Sequence, residues 1–164
     1  MFSQAQLQLH TIRDILRFSV SQFNQANLFF GHGSASAYDE AAYLILKTLH
    51  LPLDQLDPFL DARLTDTERK QVVDLIARRI SDRIPAAYLT HEAWLRYYRF
   101  YVDKRVIVLR SFIAELLQTQ LSPWVTQPDH ISSILDLCTG SGCLAILLAH
   151  CFEHAHIDAV DISS

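Results

Sequence analysis

The stretch that decides the reading is Ile134-Leu135-Asp136-Leu137-Cys138-Thr139-Gly140-Ser141-Gly142-Cys143-Leu144-Ala145. An apolar, β-branched run enters a turn with two glycines two positions apart, and an uninterrupted apolar segment leaves it. Strand, turn and helix in that order predict the first half of a βαβ unit. Ile131–Leu137 reads as the strand, Cys143–Phe152 as the helix and His156–Ile162 as the second strand. Glycine at 140 and 142 permits backbone angles closed to other residues and lets a ligand approach the main chain. The first amides of the helix then point into that space. Nineteen residues after Gly142, Asp161 ends the second strand, where a carboxylate can accept the hydroxyl protons of a ribose.

Two ligand classes fit such a turn. Gly140-Ser141-Gly142-Cys143-Leu144-Ala145 satisfies the dinucleotide pattern G-x-G-x-x-[G/A], which by itself is weakly specific. Asp136 argues against a pyrophosphate, because its carboxylate precedes the turn and no Lys or Arg lies between Asp129 and Ser164 to offset it. A cationic ligand, with the ammonium and sulfonium of S-adenosylmethionine (SAM), suits it better.

Outward from the turn, residues 1–84 read as a helical bundle. Ile12, Ile15, Leu16, Ser19, Val20 and Phe23 keep helical spacing, and a second helix runs from about Tyr38 to His50. A short turn covers Leu53–Leu60. Thr65-Asp66-Thr67-Glu68 is a capping box opening a third helix with Val72, Val73, Leu75, Ile76 and Ile80. Its charged residues, Arg69 and Arg79 among them, read as a solvated face.

Pro85 marks a change of pattern, and residues 85–110 form a linker. Trp94–Val108 is aromatic and β-branched, which predicts a hairpin turning at Asp103-Lys104 with one packed and one charged face. Arg96, Arg99, Lys104 and Arg105 interleave with Tyr97, Tyr98, Phe100 and Tyr101, a mixture that also suits RNA contacts. Ser111 is placed to cap a helix through Leu117, which opens the segment 111–164.

Composition narrows the classes. The 164 residues are 50% hydrophobic and 20% charged, which excludes a disordered or low-complexity chain. A net charge of −4 provides no global positive field for nucleic acid or membrane. The longest apolar runs, Ala41–Leu46 and Cys143–Ala149, are far below the ~20 residues of a membrane helix. With no signal-peptide pattern and an odd count of closely spaced cysteines (Cys138, Cys143, Cys151), the chain is expected to be cytoplasmic. His150, His154 and His156 with Cys151 read as a helix end carrying surface histidines, with no metal expected.

Taken together, Asp136–Cys143 and Ala159-Val160-Asp161-Ile162-Ser163 resemble the protein glutamine methyltransferases, SAM-dependent enzymes that methylate a side-chain amide nitrogen. The resemblance extends to Asn27–Gly33, Arg83–Thr90, Glu92-Ala93-Trp94, Phe100–Asp103 and Arg105–Val108, and is to the branch acting on a large-subunit ribosomal protein. It implies an α/β architecture: a helical substrate-recognition domain, a connecting β-hairpin and the start of a Rossmann-like methyltransferase domain. It further implies SAM as cofactor and a ribosomal protein as substrate. Cys138, Thr139, Gly140, Ser141 and Gly142 match the SAM loop, Asp161 the ribose acid and Asp136 the acid ending the first strand. Arg110 and Glu115 match a segment leading into the catalytic domain, without an assigned role.

The sequence departs from that pattern in several places. Leu109 and Phe112 replace prolines flanking Arg110-Ser111, His91 stands where glycine or asparagine is usual, and Arg96-Tyr97-Tyr98 is more basic. Asn-Pro-Pro-Tyr, which the resemblance assigns to the substrate amide, does not occur in these 164 residues. The chain is therefore expected to correspond to the N-terminal portion of such an enzyme, to bind SAM weakly and to be inactive by itself. Two other classes remain open: a nicotinamide-dependent oxidoreductase using the same turn, and a non-catalytic module docking on ribosomal protein or RNA.

Overall fold

The computed structural model describes residues 1–31, 33–109 and 111–163, so His32, Arg110 and Ser164 lie outside the described residues. Helix and sheet are mixed, in two compact units that divide between Thr90 and His91.

The first unit is helical: α1 (Phe2–Gln8), α2 (Ile12–Gln25), α3 (Ala37–Thr48), a 3₁₀ turn at Asp57–Phe59, α4 (Asp66–Ser81) and α5 (Ala86–Thr90). Ile12, Ile15 and Phe23 of α2, Leu44 and Ile45 of α3, and Val72 and Ile76 of α4 are buried together in its core. The capping box at Thr65 is present, with Glu68 reaching back to the Thr65 amide at 2.8 Å. A second box starts α2, where Thr11 Oγ1 accepts the Asp14 N–H and Asp14 Oδ2 accepts the Thr11 N–H, both at 3.1 Å. Those N–H bonds, from Thr11 foremost, hold the Asp14 carboxyl below the usual carboxylate range.

Two charges of α4 are buried, against the expectation of a solvated face. Arg69 and Arg79 lie three or four positions from Val72, Val73 and Ile76, which places them on the core stripe. Arg79 Nε donates to Glu40 Oε1 at 2.6 Å and Nη2 donates to the Phe29 carbonyl at 3.2 Å. Arg69 meets Asp66 and the His10 ring. α1 had no sequence signal, since only Phe2, Ala5 and Leu9 face the core. Phe2 packs edge-on against Phe18, and Gln6 donates to Asp74 at 2.6 Å.

The second unit contains β1 (Glu92–Leu95), β2 (Tyr98–Tyr101), α6 (Ile113–Leu116), β3 (Ser133–Leu137), α7 (Cys143–Cys151) and β4 (His156–Val160). β1 and β2 pair antiparallel, with Leu95 opposite Tyr98, so the hairpin turns at Arg96-Tyr97. This corrects the placement at Asp103-Lys104. Arg96 takes φ +58°, supplying the left-handed residue that a two-residue turn requires. Asp103 does form a turn, with its carbonyl accepting the Val106 N–H at 3.1 Å, but one that follows the hairpin.

The hairpin's aromatic residues do not form one packed face. Phe100 is buried, whereas Trp94, Tyr97 and Tyr101 are exposed. His91 also has a left-handed backbone, φ +54°, and its ring stacks on Tyr101 at 5.4 Å, which accounts for the glycine or asparagine that the resemblance leads one to expect there. Ser111 Oγ accepts the Ile113 N–H at 3.2 Å, although Phe112 is the residue that caps α6. Phe112 is exposed and Leu109 packs at the edge of the core.

β3 and β4 pair parallel, with Ser133 opposite His156 and Leu137 opposite Val160. β3 begins at Ser133, two residues after the predicted Ile131, because Pro128–His130 forms a 3₁₀ turn. α7 places Cys143, Leu147 and Leu148 in a core with Leu95, Phe100 and Leu117. Leu135, Leu137 and Val160 remain exposed on the strands.

Candidate functional site

Between β3 and α7 the backbone is left-handed at every second residue: Cys138 at φ +60°, Gly140 at +57° and Gly142 at +76°. The glycines make two of these angles inexpensive. Cys138, the third, is not signalled by residue type. The alternation reverses the chain, and Gly142 becomes the N-cap of α7.

Two carboxylates hold the turn. Asp136 is 8% exposed and accepts the Thr139 hydroxyl at 2.6 Å, from beneath the turn. Asp161, just beyond β4, accepts the Gly140 N–H on Oδ2 and the Ser163 N–H on Oδ1, each at 2.8 Å. These bonds, Ser163's first, hold the Asp161 carboxyl below the usual carboxylate range. It is anionic near neutral pH, and a carboxylate has about four acceptor positions. Acceptor capacity therefore remains beyond the backbone N–H groups of Ser163, Gly140 and Ile162.

A cleft of about 560 Å³ opens at this turn. Cys138, Gly140, Ser141 and Asp161 line one side. Phe100, Tyr101, Asp103, Arg105 and Ile107, from β2 and the segment after it, line the other. Of the seven residues singled out from sequence, four therefore meet in the cleft, while Asp136, Thr139 and Gly142 shape the turn without lining it. The Ser141 hydroxyl is buried with no hydrogen-bond partner among the described residues. The hairpin side was missed as part of the site, since nothing in the spacing of residues 100–107 relates them to a turn more than thirty residues away.

The four basic residues considered for RNA each have a defined setting or lie free. Arg96 donates to the Ala114 carbonyl at 3.3 Å, Arg99 pairs with Glu92 at 3.5 Å and Arg105 pairs with Asp103 at 2.8 Å. Lys104 adjoins them in the turn that Asp103 opens. Among the described residues no three His, Cys, Asp or Glu side chains converge as metal ligands. His150 stacks on Tyr98 at 4.8 Å and His156 faces Asp158 at 3.3 Å. The three cysteines are unpaired, with Cys143 buried and Cys138 exposed. No helix among the described residues is long and apolar enough to cross a membrane.

No protein-family model matches the chain. Curated proteins do. It is 60% identical over 163 residues, 99% of its length, to the ribosomal protein uL3 glutamine methyltransferase of Neisseria meningitidis serogroup A. Identity is again 60% to the proteins of the same name from Bordetella pertussis, over 96% of this chain, and Burkholderia pseudomallei, over 94%. This chain is a homologue of the ribosomal protein uL3 glutamine methyltransferases. It spans about half their length, covering 54%, 53% and 50% of the three relatives. The glycine turn at Cys138–Gly142 and the acid Asp161 fall inside the matched region in the Neisseria relative, whose alignment leaves only one residue of this chain unmatched.

Proposed function

We propose that this chain carries the cofactor-binding turn and the helical unit of a SAM-dependent methyltransferase that modifies a glutamine of a large-subunit ribosomal protein. The observation that carries the reading is the single cleft shared by Gly140 and Asp161, in a chain 60% identical to curated enzymes of that name. The βαβ unit of β3, α7 and β4 is then the start of a Rossmann-like sheet, and the exposed Leu135, Leu137 and Val160 are positions that further elements of such a sheet would cover.

The residues fit the cofactor on three counts. Asp161 is an anion at the cleft with acceptor capacity left for a ribose hydroxyl. The cleft is within the usual ~300–1,000 Å³ of small-molecule sites. The Ser141 hydroxyl is a buried polar group without a partner. Bound there, SAM supplies an electrophilic methyl group for the amide nitrogen. The protein's own part is to hold the ribose through Asp161 and to orient the tail along the turn.

The same geometry disfavours a nicotinamide cofactor. A pyrophosphate at this turn would compete with Asp161 for the Gly140 N–H, which the carboxylate holds at 2.8 Å, and would be repelled by that carboxylate, with Arg105 the one cation lining the cleft among the described residues to offset it.

Calorimetry with SAM and a methylation assay on the ribosomal protein test the reading. Weak SAM binding without turnover is the expected result for these 164 residues, because the Asn-Pro-Pro-Tyr segment is not among them. Binding of NADH in preference to SAM would overturn it.

A further inference from the structure

Arg105 is the one cationic side chain lining the cleft among the described residues. Its position is set by Asp103. Asp103 Oδ1 accepts the Arg105 backbone N–H and Nε–H, both at 3.0 Å, and Oδ2 accepts from Nη2 at 2.8 Å. The Tyr101 hydroxyl adds a bond to Oδ2 at 3.3 Å. The guanidinium is thus held from one edge by a neighbour two residues away.

A guanidinium has five N–H donors in a planar fork. Asp103 engages the Nε/Nη2 edge, so the Nη1/Nη2 edge is left for a second acceptor. The side chain is 67% exposed, so that edge is accessible. A planar pair of donors matches a carboxylate in two-point contact. Asp161 lines the same cleft and is placed for the hydroxyls of a sugar, so the ligand these two groups suit is a nucleoside bearing an amino-acid tail.

We infer that Arg105, oriented by Asp103, binds the α-carboxylate of the cofactor's amino-acid tail. This rests on the cofactor reading above and adds to it a specificity residue: Arg105 distinguishes ligands that carry the carboxylate from adenosine thioethers that lack it. Asp103 acts through Arg105 and is a positioning residue.

The test compares two ligands by calorimetry on the chain and its variants: S-adenosylhomocysteine, which has the amino-acid tail, and methylthioadenosine, which lacks it. Arg105→Met is expected to weaken S-adenosylhomocysteine about tenfold, the scale of one charge-assisted contact, and to leave methylthioadenosine unchanged. Arg105→Lys, keeping the charge without the fork, should recover part of the loss. Asp103→Asn should shift the first ligand in the same direction and spare the second. Equal weakening of both ligands, or of neither, by Arg105→Met overturns the inference while leaving the cofactor reading in place. If the unaltered chain binds neither adenosine ligand, the cofactor reading falls and the inference with it.

Discussion

Asp161 and Gly140 are joined by a 2.8 Å hydrogen bond from the glycine's amide to the aspartate's Oδ2. That bond ties the end of β4 to the turn after β3 and gives the acid a fixed orientation at the mouth of the cleft. On the cofactor reading proposed above, a carboxylate pre-positioned in this way loses less conformational freedom on binding a ribose than a free side chain would.

Asp161→Asn keeps the size of the side chain and replaces one acceptor oxygen by a donor. SAM affinity should fall at least about tenfold, as expected when a buried or partly buried charged acceptor is lost. Calorimetry reads this directly; unchanged affinity would remove the ribose role.

The same carboxyl titrates below its ordinary value because backbone N–H groups, Ser163's first and then Gly140's, favour the charged form. A depressed folded value means the favourable anion is fully present above the unfolded value of 3.8 and is lost only as pH falls through the folded one. SAM affinity attributable to Asp161 should therefore be flat across neutral and mildly acid pH and decline only below about pH 4. A midpoint near pH 6 would point to another group.

Gly140→Ala and Gly142→Ala should each destabilise the protein by about 1 kcal/mol, the usual penalty for a left-handed alanine. No atom lies within 4 Å of the added methyl at either site, so the cost is conformational rather than steric. His91 reverses the sign. At φ +54°, His91→Gly should relieve strain and stabilise by roughly 0.5 kcal/mol after loss of the Tyr101 stack. Denaturant unfolding measures all three.

Glu40 and Arg79, with side chains 5% and 6% exposed, form a buried pair. Removing one partner leaves the other charge uncompensated, so Glu40→Gln or Arg79→Met should cost about 3 kcal/mol or more, while replacing both by apolar residues should cost far less. Additive single and double effects in thermal unfolding would show that the pair is not coupled.

The capping box at Thr11 and Asp14 should contribute about 1 kcal/mol to stability. Its Asp14 carboxyl is depressed by N–H bonds, chiefly from Thr11, so the contribution is present above the unfolded value of 3.8 and fades as pH falls through the folded value. Asp14→Ala, which removes the carboxyl that accepts the Thr11 and His10 N–H groups, should lower the midpoint at neutral pH and make less difference near pH 3.

What the amino-acid order determined by itself is local. Thr65–Glu68 specified a helix start because a side chain three residues away can reach the same amides. Gly140 and Gly142 specified a strand-to-helix turn because their backbone angles are open to few other residues. Asp161 could be related to that turn because a βαβ unit returns a strand end beside its starting strand. The tertiary structure decided what depends on distant partners. The burial of Arg79 needed Glu40, thirty-nine positions away, to neutralise it, and the hairpin turned at Arg96 because the Leu95–Tyr98 register buried Phe100 and Leu95 together. Arg105 joined the cleft for the same reason: Asp103 captured its guanidinium, and packing brought that turn to the cleft that Gly140 also lines, a proximity no spacing along the chain encodes.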